Sequence, residues 1–599
     1  MEKTLFKNLL AMVSLYRVRF ASALTMLIIS NFLLILNPLV FRQAIISLDP
    51  HAKITDGIVA DFLHLLWGNE MHDIWLWALL LLCISAISAI FKYGMRMAFI
   101  SISRDAEKEI RERLFIRIQS QSKAFFDRHG IGELISRLTN DISAYRDLLG
   151  PGIMFPLFFI TIVFPGVIAL FTISVPLTLV SLIPLLLIPL LNEVVRNYSY
   201  RLSLAVQDKL GEMSNASQEH YAGIRIVKGY SIESREANRF ANLCQEFASL
   251  NFKLTSLQGL MYPLFTLLTK MITVLLVLVA GVIILEAWSV LTVADFISFM
   301  WIQSYIFFPI LMLGWVLPMY ERGRASYDRL LDVYNEPNDV QDNAESDLKI
   351  PLSADIVFRD LTFFYPGTLK PALSHLNLHI KWGSFVGITG PIGAGKSTLF
   401  HLLNREYEIP KGVLFIGGHE IHEYPLTAFR TEMVTVEQVA FLFSRTLADN
   451  VKFGRSEATQ EELEMVARFA DLHGTVMDFP AKYDTMIGER GVTLSGGQKQ
   501  RVAMARAFLV NRSILLLDDI FSAVDAATEQ RIFEAVSEHF AGRTVLLITH
   551  RVSILEQLNH VIYMADGKVV EEGTPASLME KEGRYAALVA LQKEAASEK

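Results

Sequence analysis

The sequence predicts a polytopic α-helical membrane domain of six spans, followed by an α/β domain of the P-loop type. Three observations lead to this fold class. A chain of 599 residues is too long for one soluble core. Its long uncharged runs almost all precede about residue 320, and after about residue 350 short strand-like runs alternate with helical ones. We expect a membrane domain over 1–335, a polar linker over 336–350 and an α/β domain over 351–599.

The charge balance and the cysteines exclude two classes of protein. The net charge is −7 and no cluster of Lys and Arg dominates, so nucleic acid is not the expected partner. Cys83 falls in an apolar run and Cys244 in a charged helical stretch. We therefore expect two free thiols and no disulfide framework.

The apolar runs have the length of membrane spans, because a bilayer core of roughly 30 Å needs about 20 helical residues. The uncharged stretch 150–191 is too long for one span, and 172–176 divides it into a hairpin. The first run lacks a small-residue cleavage site, which argues against a signal peptide. The six predicted spans are 20–41, 74–91, 150–171, 175–191, 261–285 and 296–320.

Orientation follows from the positive charges near the first span. Lys3 and Lys7 precede this span, whereas the connection over 49–73 carries one lysine against five acidic residues. The N-terminus is therefore expected inside. The charged stretches 92–149 and 192–262 then lie in the cytoplasm, where the membrane helices continue and turn back. We expect a multi-pass protein of the inner (cytoplasmic) membrane, with the α/β domain in the cytoplasm.

Polar residues within the spans are candidates for a functional role, because burying them in lipid is costly. Lys270 is the clearest case, and Asn31, Asn37 and Gln303 are weaker ones. Lys270 fits a helix-end lysine that reaches the interface. It fits equally a residue that lines a cavity or forms an ion pair inside the membrane.

A glycine-rich loop in the second half has the pattern of a phosphate-binding loop. A strand is expected over 386–389, then the loop Gly-Pro-Ile-Gly-Ala-Gly-Lys-Ser over 390–397, then a helix starting at Thr398. Glycines let backbone N–H groups approach phosphates, the lysine reaches the terminal phosphates, and the serine hydroxyl holds Mg²⁺. The residues expected to bind ATP here are Gly390, Gly393, Gly395, Lys396, Ser397 and Thr398.

Two further motifs accompany this loop. The apolar run 514–517 ends in Asp518, which places a carboxylate beside the expected magnesium site. About twenty residues upstream stands the pentapeptide Leu494-Ser495-Gly496-Gly497-Gln498.

With these motifs, the chain resembles the ATP-binding cassette (ABC) superfamily, and specifically its exporter half-transporters of the bacterial multidrug-resistance-like heterodimeric type. The resemblance covers essentially the whole chain. It implies an ATPase coupled to transmembrane movement of a substance. It also implies that two nucleotide domains meet head to tail, so that each ATP lies between the P-loop of one and the LSGGQ motif of the other. One chain alone would not build a complete site.

The resemblance also assigns residues by position. Tyr365 is implied as the aromatic that stacks on adenine, Gln438 as the glutamine that contacts Mg²⁺ and signals to the membrane half, and His550 as the switch histidine at the γ-phosphate. Asp518 and Ser397 complete the implied magnesium ligands. The segment 522–525 resembles the loop that crosses to the partner, 488–491 a coupling segment, and 121–128 and 223–230 the two coupling helices.

One position departs from the family pattern. The residue after Asp518 is expected to be the glutamate that acts as general base on the attacking water, and here it is Asp519. The leading interpretation is export of a lipophilic or amphipathic compound by a heterodimer whose site on this chain is degenerate. The alternatives are a homodimeric lipid flippase and, from a different class, a nucleotide-gated channel or regulatory membrane protein.

Overall fold

The computed structural model describes residues 16–47, 74–285, 291–351, 353–488, 491, 494–522 and 524–597. The chain forms two compact units. The membrane unit comprises 1–118 and 132–335, and the nucleotide unit comprises 119–131 and 336–599. Several residues used above lie outside the described part, namely Lys3, Lys7, the connection 49–73, Glu489, Arg490 and Ala523.

The membrane unit is helical throughout its described residues. One short helix in this half of the chain, Lys123–Arg128, belongs to the nucleotide unit. The helices of this half are α1 (Arg17–Ser47), α2 (Ile74–Gln119), α3 (Lys123–Arg128), α4 (Ile131–Ser136), α5 (Ile142–Leu149), α6 (Pro151–Ile173), α7 (Val175–Ala222), α8 (Ile224–Gly229), α9 (Glu233–Leu285) and α10 (Val293–Asn335), and a π-helical turn over Arg137–Asp141 joins α4 to α5.

Five helical segments in the described part are long and apolar enough to cross a membrane: Arg17–Ser47, Ile74–Gln119, Ile131–Ile173, Thr266–Leu285 and Val293–Asn335. The sixth predicted span, 175–191, falls within α7, where the side chains at 184–194 are not described. The count of six therefore stays a prediction. Helices α2, α7 and α9 have 46, 48 and 53 residues. At 1.5 Å per residue they are about 70–80 Å long, more than twice the bilayer core.

Apolar packing and a few hydrogen bonds hold the membrane unit together. Phe299 and Ile302 of α10 are fully buried in a cluster with residues of α6, α7 and α9. The amide of Asn31 donates to Thr161 Oγ1 at 2.8 Å, and that of Asn37 donates to Ser85 Oγ at 3.0 Å. These two asparagines therefore join helices, which gives them a packing role.

The other two polar candidates lie on α9 and α10. The side chain of Lys270 is exposed and that of Gln303 is half-buried. Exposure fits a lysine that reaches the interface and one that lines a cavity equally well, so both alternatives stay open. Cys83 and Cys244 are free thiols, as the sequence predicts.

The nucleotide unit contains two sheets. A four-stranded antiparallel sheet has the order β2-β1-β4-β5, and a six-stranded, mainly parallel sheet has the order β10-β9-β3-β8-β7-β6. The strands are β1 (Ile356–Phe363), β2 (Leu373–Ile380), β3 (Phe385–Thr389), β4 (Leu414–Ile416), β5 (His419–Glu420), β6 (Met433–Val436), β7 (Ile514–Asp518), β8 (Thr544–Ile548), β9 (His560–Ala565) and β10 (Lys568–Gly573).

Helices cover the larger sheet and form a helical layer beside it. They are α11 (Lys396–Leu403), α12 (Leu426–Glu432), α13 (Leu447–Val451), α14 (Gln460–Phe469), α15 (His473–Met477), α16 (Gly496–Val510), α17 (Ala526–His539), α18 (Val552–Leu555), α19 (Pro575–Glu580) and α20 (Arg584–Ser597).

The central parallel strands are buried on both faces, which explains their unbroken apolar sequences. Every residue of β8 is buried, and in β7 only the terminal Asp518 is half-buried. The parallel strands β3, β8, β7 and β6 are adjacent in that order. Their carboxyl ends therefore share one edge, where open α/β sheets bind their ligands.

Candidate nucleotide site

The shared edge of the parallel sheet collects most of the predicted site residues. The P-loop follows β3, Gln438 follows β6, Asp519 follows β7 and His550 follows β8. Strand pairing thus brings together four segments that are up to about 160 residues apart in the chain.

Steric crowding explains the glycines of the P-loop. Gly390 has φ +138°, and a Cβ there would lie 1.9 Å from the carbonyl oxygen of Met564. Gly395 has φ +91°, and its Cβ would lie 2.7 Å from the carbonyl oxygen of Ala372. Only glycine fits both positions, since L-residues disfavour these backbone angles and no space exists for a side chain.

Helix α11 begins at Lys396, two residues earlier than the expected start at Thr398. Left-handed Gly395 is the N-cap, and its carbonyl accepts from Leu399 N at 3.2 Å. The loop therefore enters the helix at the lysine itself. The N–H groups of the first turn lie next to the loop, where the helix dipole favours a phosphate.

Lys396 is held inside the loop. Only 7% of its surface is exposed, and its Nζ donates to the carbonyl oxygens of Gly390 at 2.8 Å and Pro391 at 2.9 Å. Burial lowers the pKa of the lysine, opposed by the charges of Asp518 and Asp519. These contacts keep the ammonium at the loop, where a terminal phosphate would neutralise it.

Tyr365 stands between the antiparallel sheet and α11. Its hydroxyl donates to Thr398 Oγ1 at 3.0 Å, and its ring meets the edges of Phe363 and Tyr407, each with a centroid separation of 5.2 Å. The ring is half-buried. The ring therefore lies beside α11, the helix that follows the P-loop. Stacking of Tyr365 on adenine stays a prediction.

Asp519 forms the polar centre of the site with Gln438 and His550. Gln438 Nε2 donates to Asp519 Oδ2 at 3.1 Å. Burial raises the pKa of Asp519, and the neighbouring Asp518 raises it further, whereas His550 and the Gln438 bond lower it. Burial, followed by the charge of Lys396, lowers the pKa of His550. A neutral imidazole therefore faces the carboxylates near pH 7.

The backbone of Asp519 is fixed from two sides. It adopts a left-handed conformation with φ +45°, which aspartate tolerates better than most residues. Its N–H donates to Ile548 O at 2.9 Å, and its carbonyl accepts from Ser522 Oγ at 2.9 Å. These bonds tie the residue to strand β8 and to the following loop.

The predicted magnesium ligands are of a suitable chemical type. Ser397, Gln438 and Asp518 supply hydroxyl, amide and carboxylate oxygens, the hard donors that Mg²⁺ prefers. Within the described ranges no cluster of three His, Cys, Asp or Glu side chains could hold a metal ion. A magnesium ion here would therefore depend on nucleotide phosphates and water as well, and it would neutralise charge on those phosphates.

The LSGGQ motif begins helix α16. Ser495 is its N-cap: Ser495 Oγ accepts from Gln498 N at 3.3 Å, and Gln498 Oε1 accepts from Ser495 N at 2.8 Å. Leu494 is buried, whereas Ser495 and Gly496 are exposed. The hydrogen bonds of Ser495 and Gln498 in the described structure are local. The motif thus presents a capped, exposed helix N-terminus.

Arg551 holds Phe521 and Val524, next to the predicted partner-facing segment 522–525, in which Ala523 is not described. The guanidinium Nη2 of Arg551 donates to Phe521 O at 2.7 Å and to Val524 O at 2.8 Å. Asp525 then caps α17 by accepting from Thr528 N at 3.0 Å. Arg551 follows His550 directly in the chain. The residue that holds the segment after Asp519 is therefore the neighbour of the predicted switch histidine.

Gln500 is a residue of the site that the sequence reasoning missed. This side chain of α16 is only 3% exposed, and its Nε2 donates to Gln438 O at 3.1 Å and Ser522 Oγ at 3.3 Å. It connects the LSGGQ helix to the segments of Gln438 and Asp519. The sequence does contain a signal that this side chain is buried: Gln500 lies four and eight residues before the apolar residues Met504 and Phe508, on the same face of the helix.

We expect Gln500→Leu to lower ATP turnover about tenfold, a typical size for a coupling between two sites. An apolar side chain of similar size should leave the melting temperature nearly unchanged, because the two groups that lose their donor belong to the exposed residues Gln438 and Ser522, where water can replace it. Phosphate release and thermal unfolding of the purified protein check both expectations. Gln530→Leu on the surface of α17 is the control. Unchanged turnover in Gln500→Leu would contradict the assigned connection.

The fold and the site define a P-loop nucleotide-binding unit attached to a helical membrane unit. Family models agree with both parts. The model for the ABC transporter transmembrane region matches residues 20–310, and the ABC transporter model matches residues 373–522.

Individual relatives extend the similarity along the chain. The multidrug resistance-like ATP-binding protein MdlA of Escherichia coli (strain K12) is 31% identical over 534 residues, 88% of this chain and 89% of the relative. An ATP-dependent lipid A-core flippase of Syntrophus aciditrophicus (strain SB) is 30% identical over 489 residues, 81% of this chain and 80% of the relative. A solved bacterial Atm1-family ABC exporter with ATP bound superposes with a TM-score of 0.75 and 25% identity, covering 97% of this chain and 99% of the exporter.

This chain therefore belongs to the ABC transporter family and is an exporter half-transporter. It is a multi-pass membrane protein whose ATP-binding domain is an ATPase coupled to transport. The predicted family, the order of a helical membrane domain and an ATP-binding domain, and the ATPase activity are confirmed. The count of six spans and the heterodimer stay predictions.

Proposed function

We propose that this chain drives the ATP-dependent export of a lipophilic or amphipathic compound across the cytoplasmic membrane, as one half of a heterodimer. Its N-terminus and nucleotide unit lie in the cytoplasm. The names of the relatives, a multidrug resistance-like protein and a lipid A-core flippase, support this class of cargo. The net charge and the absence of a dominant basic cluster in the sequence support the expectation that nucleic acid is not a partner.

Two exposed features of the chain support the proposal that it binds a partner subunit. Ser495 and Gly496 present a capped helix N-terminus to solvent, a place where a phosphate from another chain could bind. Helix α8 of the membrane unit exposes 63% of Ile226, and Tyr230 just after it is 77% exposed. Large apolar side chains at a helical turn are typical of an interface.

The heterodimer proposal rests on the presence of aspartate at position 519 and on the hydrogen bonds that fix its backbone. Aspartate is shorter than glutamate by one methylene, roughly 1.5 Å, and a misplacement near 1 Å can cost on the order of a hundredfold in rate. A small backbone shift could compensate, but it would break the bonds to Ile548 and Ser522. The site on this P-loop should therefore hydrolyse ATP slowly.

The ATP site on the partner's P-loop should hydrolyse ATP quickly. The intact motif Leu494–Gln498 of this chain can complete a competent site on a partner that carries glutamate. ATP held beside Asp519 would keep the two nucleotide domains together between turnovers at the fast site. This assignment gives both sites a role in one transport cycle.

The test is to purify the complex, identify its subunits and measure ATP turnover of two variants. Asp519→Asn should leave much of the turnover, because the slow site contributes little. Changing the corresponding glutamate of the partner subunit to glutamine should nearly stop hydrolysis. Both changes replace a carboxylate by an amide of the same shape, so each is the control of the other.

Three results would count against this proposal. Recovery of a fully active complex that contains this chain alone would favour the homodimeric lipid flippase. Near-complete loss of turnover in Asp519→Asn would assign the principal base to Asp519. A complex that binds ATP without hydrolysing it would favour the regulatory or channel alternative.

A further inference from the structure

Helix α3 is anchored in the nucleotide unit, although its neighbours in the chain belong to the membrane unit. Ala124 is 3% exposed and lies in the hydrophobic cluster that contains the P-loop helix. Lys123 N donates to Glu406 O at 3.1 Å, and Arg128 pairs with Glu336 at 3.0 Å and Asp339 at 2.9 Å. A movement of α3 must therefore act on the residues that follow the P-loop helix.

Tyr407 is the residue through which α3 reaches the P-loop region. Its hydroxyl donates to Asp127 Oδ2 of α3, and only 5% of the side chain is exposed. Burial raises the pKa of Tyr407, and the hydrogen bond to the Asp127 carboxylate raises it further. The hydroxyl therefore keeps its proton and acts as a donor throughout the physiological range.

The other side of Tyr407 faces the candidate adenine platform. The rings of Tyr407 and Tyr365 meet edge to face, with centroids 5.2 Å apart and planes at 87°. The hydroxyl of Tyr365 donates to Thr398 in α11. One buried ring thus separates Asp127 of α3 from the aromatic residue expected to stack on adenine.

We infer that Asp127 and Tyr407 are positioning residues for Tyr365, so that the position of α3 sets the ATP affinity of this chain's own site. The physical reason is packing: the buried ring of Tyr407 lies in edge contact with the half-buried ring of Tyr365, so a displacement of Tyr407 changes the surface against which Tyr365 packs. Helix α3 follows α2 directly in the chain, and α2 contains a predicted span. The inference rests on the proposed adenine contact of Tyr365, and it is independent of the heterodimer.

The test measures labelling of the purified complex by 8-azido-ATP, with mass spectrometry used to read the label on peptides of this chain. Tyr407→Phe keeps the ring and removes the hydroxyl, and Asp127→Leu keeps the volume and removes the acceptor. Each should raise the half-saturating concentration about fivefold, within the usual range of coupling between sites. The double variant should show the same shift as either single variant, because all three lack the same bond.

Two controls separate positioning from a general loss of structure. Asp127→Asn retains a side-chain oxygen as acceptor and should label as the unmodified chain does. Lys123→Met removes only the ion pair of Lys123 with Asp127, which is 3.3 Å long, and should also be unchanged. Melting temperatures identify any variant that is merely unfolded.

Unshifted labelling in both Tyr407→Phe and Asp127→Leu would overturn the inference, and so would additive shifts in the double variant. A shift in Asp127→Asn equal to that of Asp127→Leu would also contradict it. Labelling reports binding alone, so a failure of the export or heterodimer proposal leaves this result readable. If Tyr365→Ala leaves labelling unchanged, the adenine contact itself is wrong.

Discussion

Lys396→Ala should abolish nucleotide-driven transport. The ammonium is buried in the P-loop and held by Gly390 O and Pro391 O, so no other cation of the described site stands at that point. Removing one preorganised group that stabilises developing charge costs on the order of a hundredfold or more in rate. The loss should affect transport even if this site is the slow one, because ATP held here keeps the two nucleotide domains together in the proposed cycle.

Cargo movement into reconstituted vesicles, with and without ATP, measures this effect. Lys411→Ala, an exposed lysine of the same unit, is the matched control and should transport normally. The fold should survive in Lys396→Ala, because the helix start at Gly395 does not depend on the lysine side chain. Transport at the unmodified rate would remove the functional assignment of this loop.

Gly496→Asp should stop ATP turnover of the complex almost completely. Gly496 is the first residue of α16 and is exposed, with Ser495 as its N-cap. A carboxylate in the first turn interacts favourably with the helix dipole, so the helix itself should remain folded. The same charge would repel the phosphates of an ATP bound by the partner subunit. Because that ATP occupies the proposed fast site, nearly all hydrolysis depends on this surface.

The control is Gly474→Asp in the first turn of α15. A Cβ at Gly474 would meet no atom within 4 Å, and the substitution adds the same charge at another helix N-terminus of the unit. Phosphate release should be unchanged there. Normal turnover in Gly496→Asp would show that the motif does not face a nucleotide. If the equivalent change in the partner subunit is the more damaging one, the assignment of fast and slow sites is reversed.

Much of the nucleotide site could be predicted because its parts are continuous in the sequence. The glycines at 390, 393 and 395, the run ending in Asp518 and the pentapeptide 494–498 each combine special backbone requirements with a fixed local context. The strands expected at 386–389 and 514–518 match β3 and β7 to within one residue, because both segments are mainly apolar and buried. The sequence predicts the start of α11 two residues late, because Gly395 serves as its N-cap in a left-handed conformation.

The contacts between these segments depend on the tertiary structure. Gln500 looks like an ordinary helical glutamine until the sheet order brings Gln438 and Ser522 to its side chain. Asp127 belongs to a charged stretch between two predicted spans, and tertiary contacts such as the packing of Ala124 and the hydrogen bond from Tyr407 assign α3 to the nucleotide unit. Such pairings have no local signature, since they join residues between 22 and 280 positions apart.

The class of this protein, its nucleotide motifs and the unusual aspartate at 519 can all be read from the amino-acid sequence. Local rules suffice for these, because hydropathy, glycine spacing and strand composition act over short segments. The tertiary structure decided that the backbone of Asp519 is tied to Ile548 and Ser522, and that Tyr407 stands between Asp127 and Tyr365. The physical reason is that strand order and close packing, which no short segment encodes, determine which distant side chains meet.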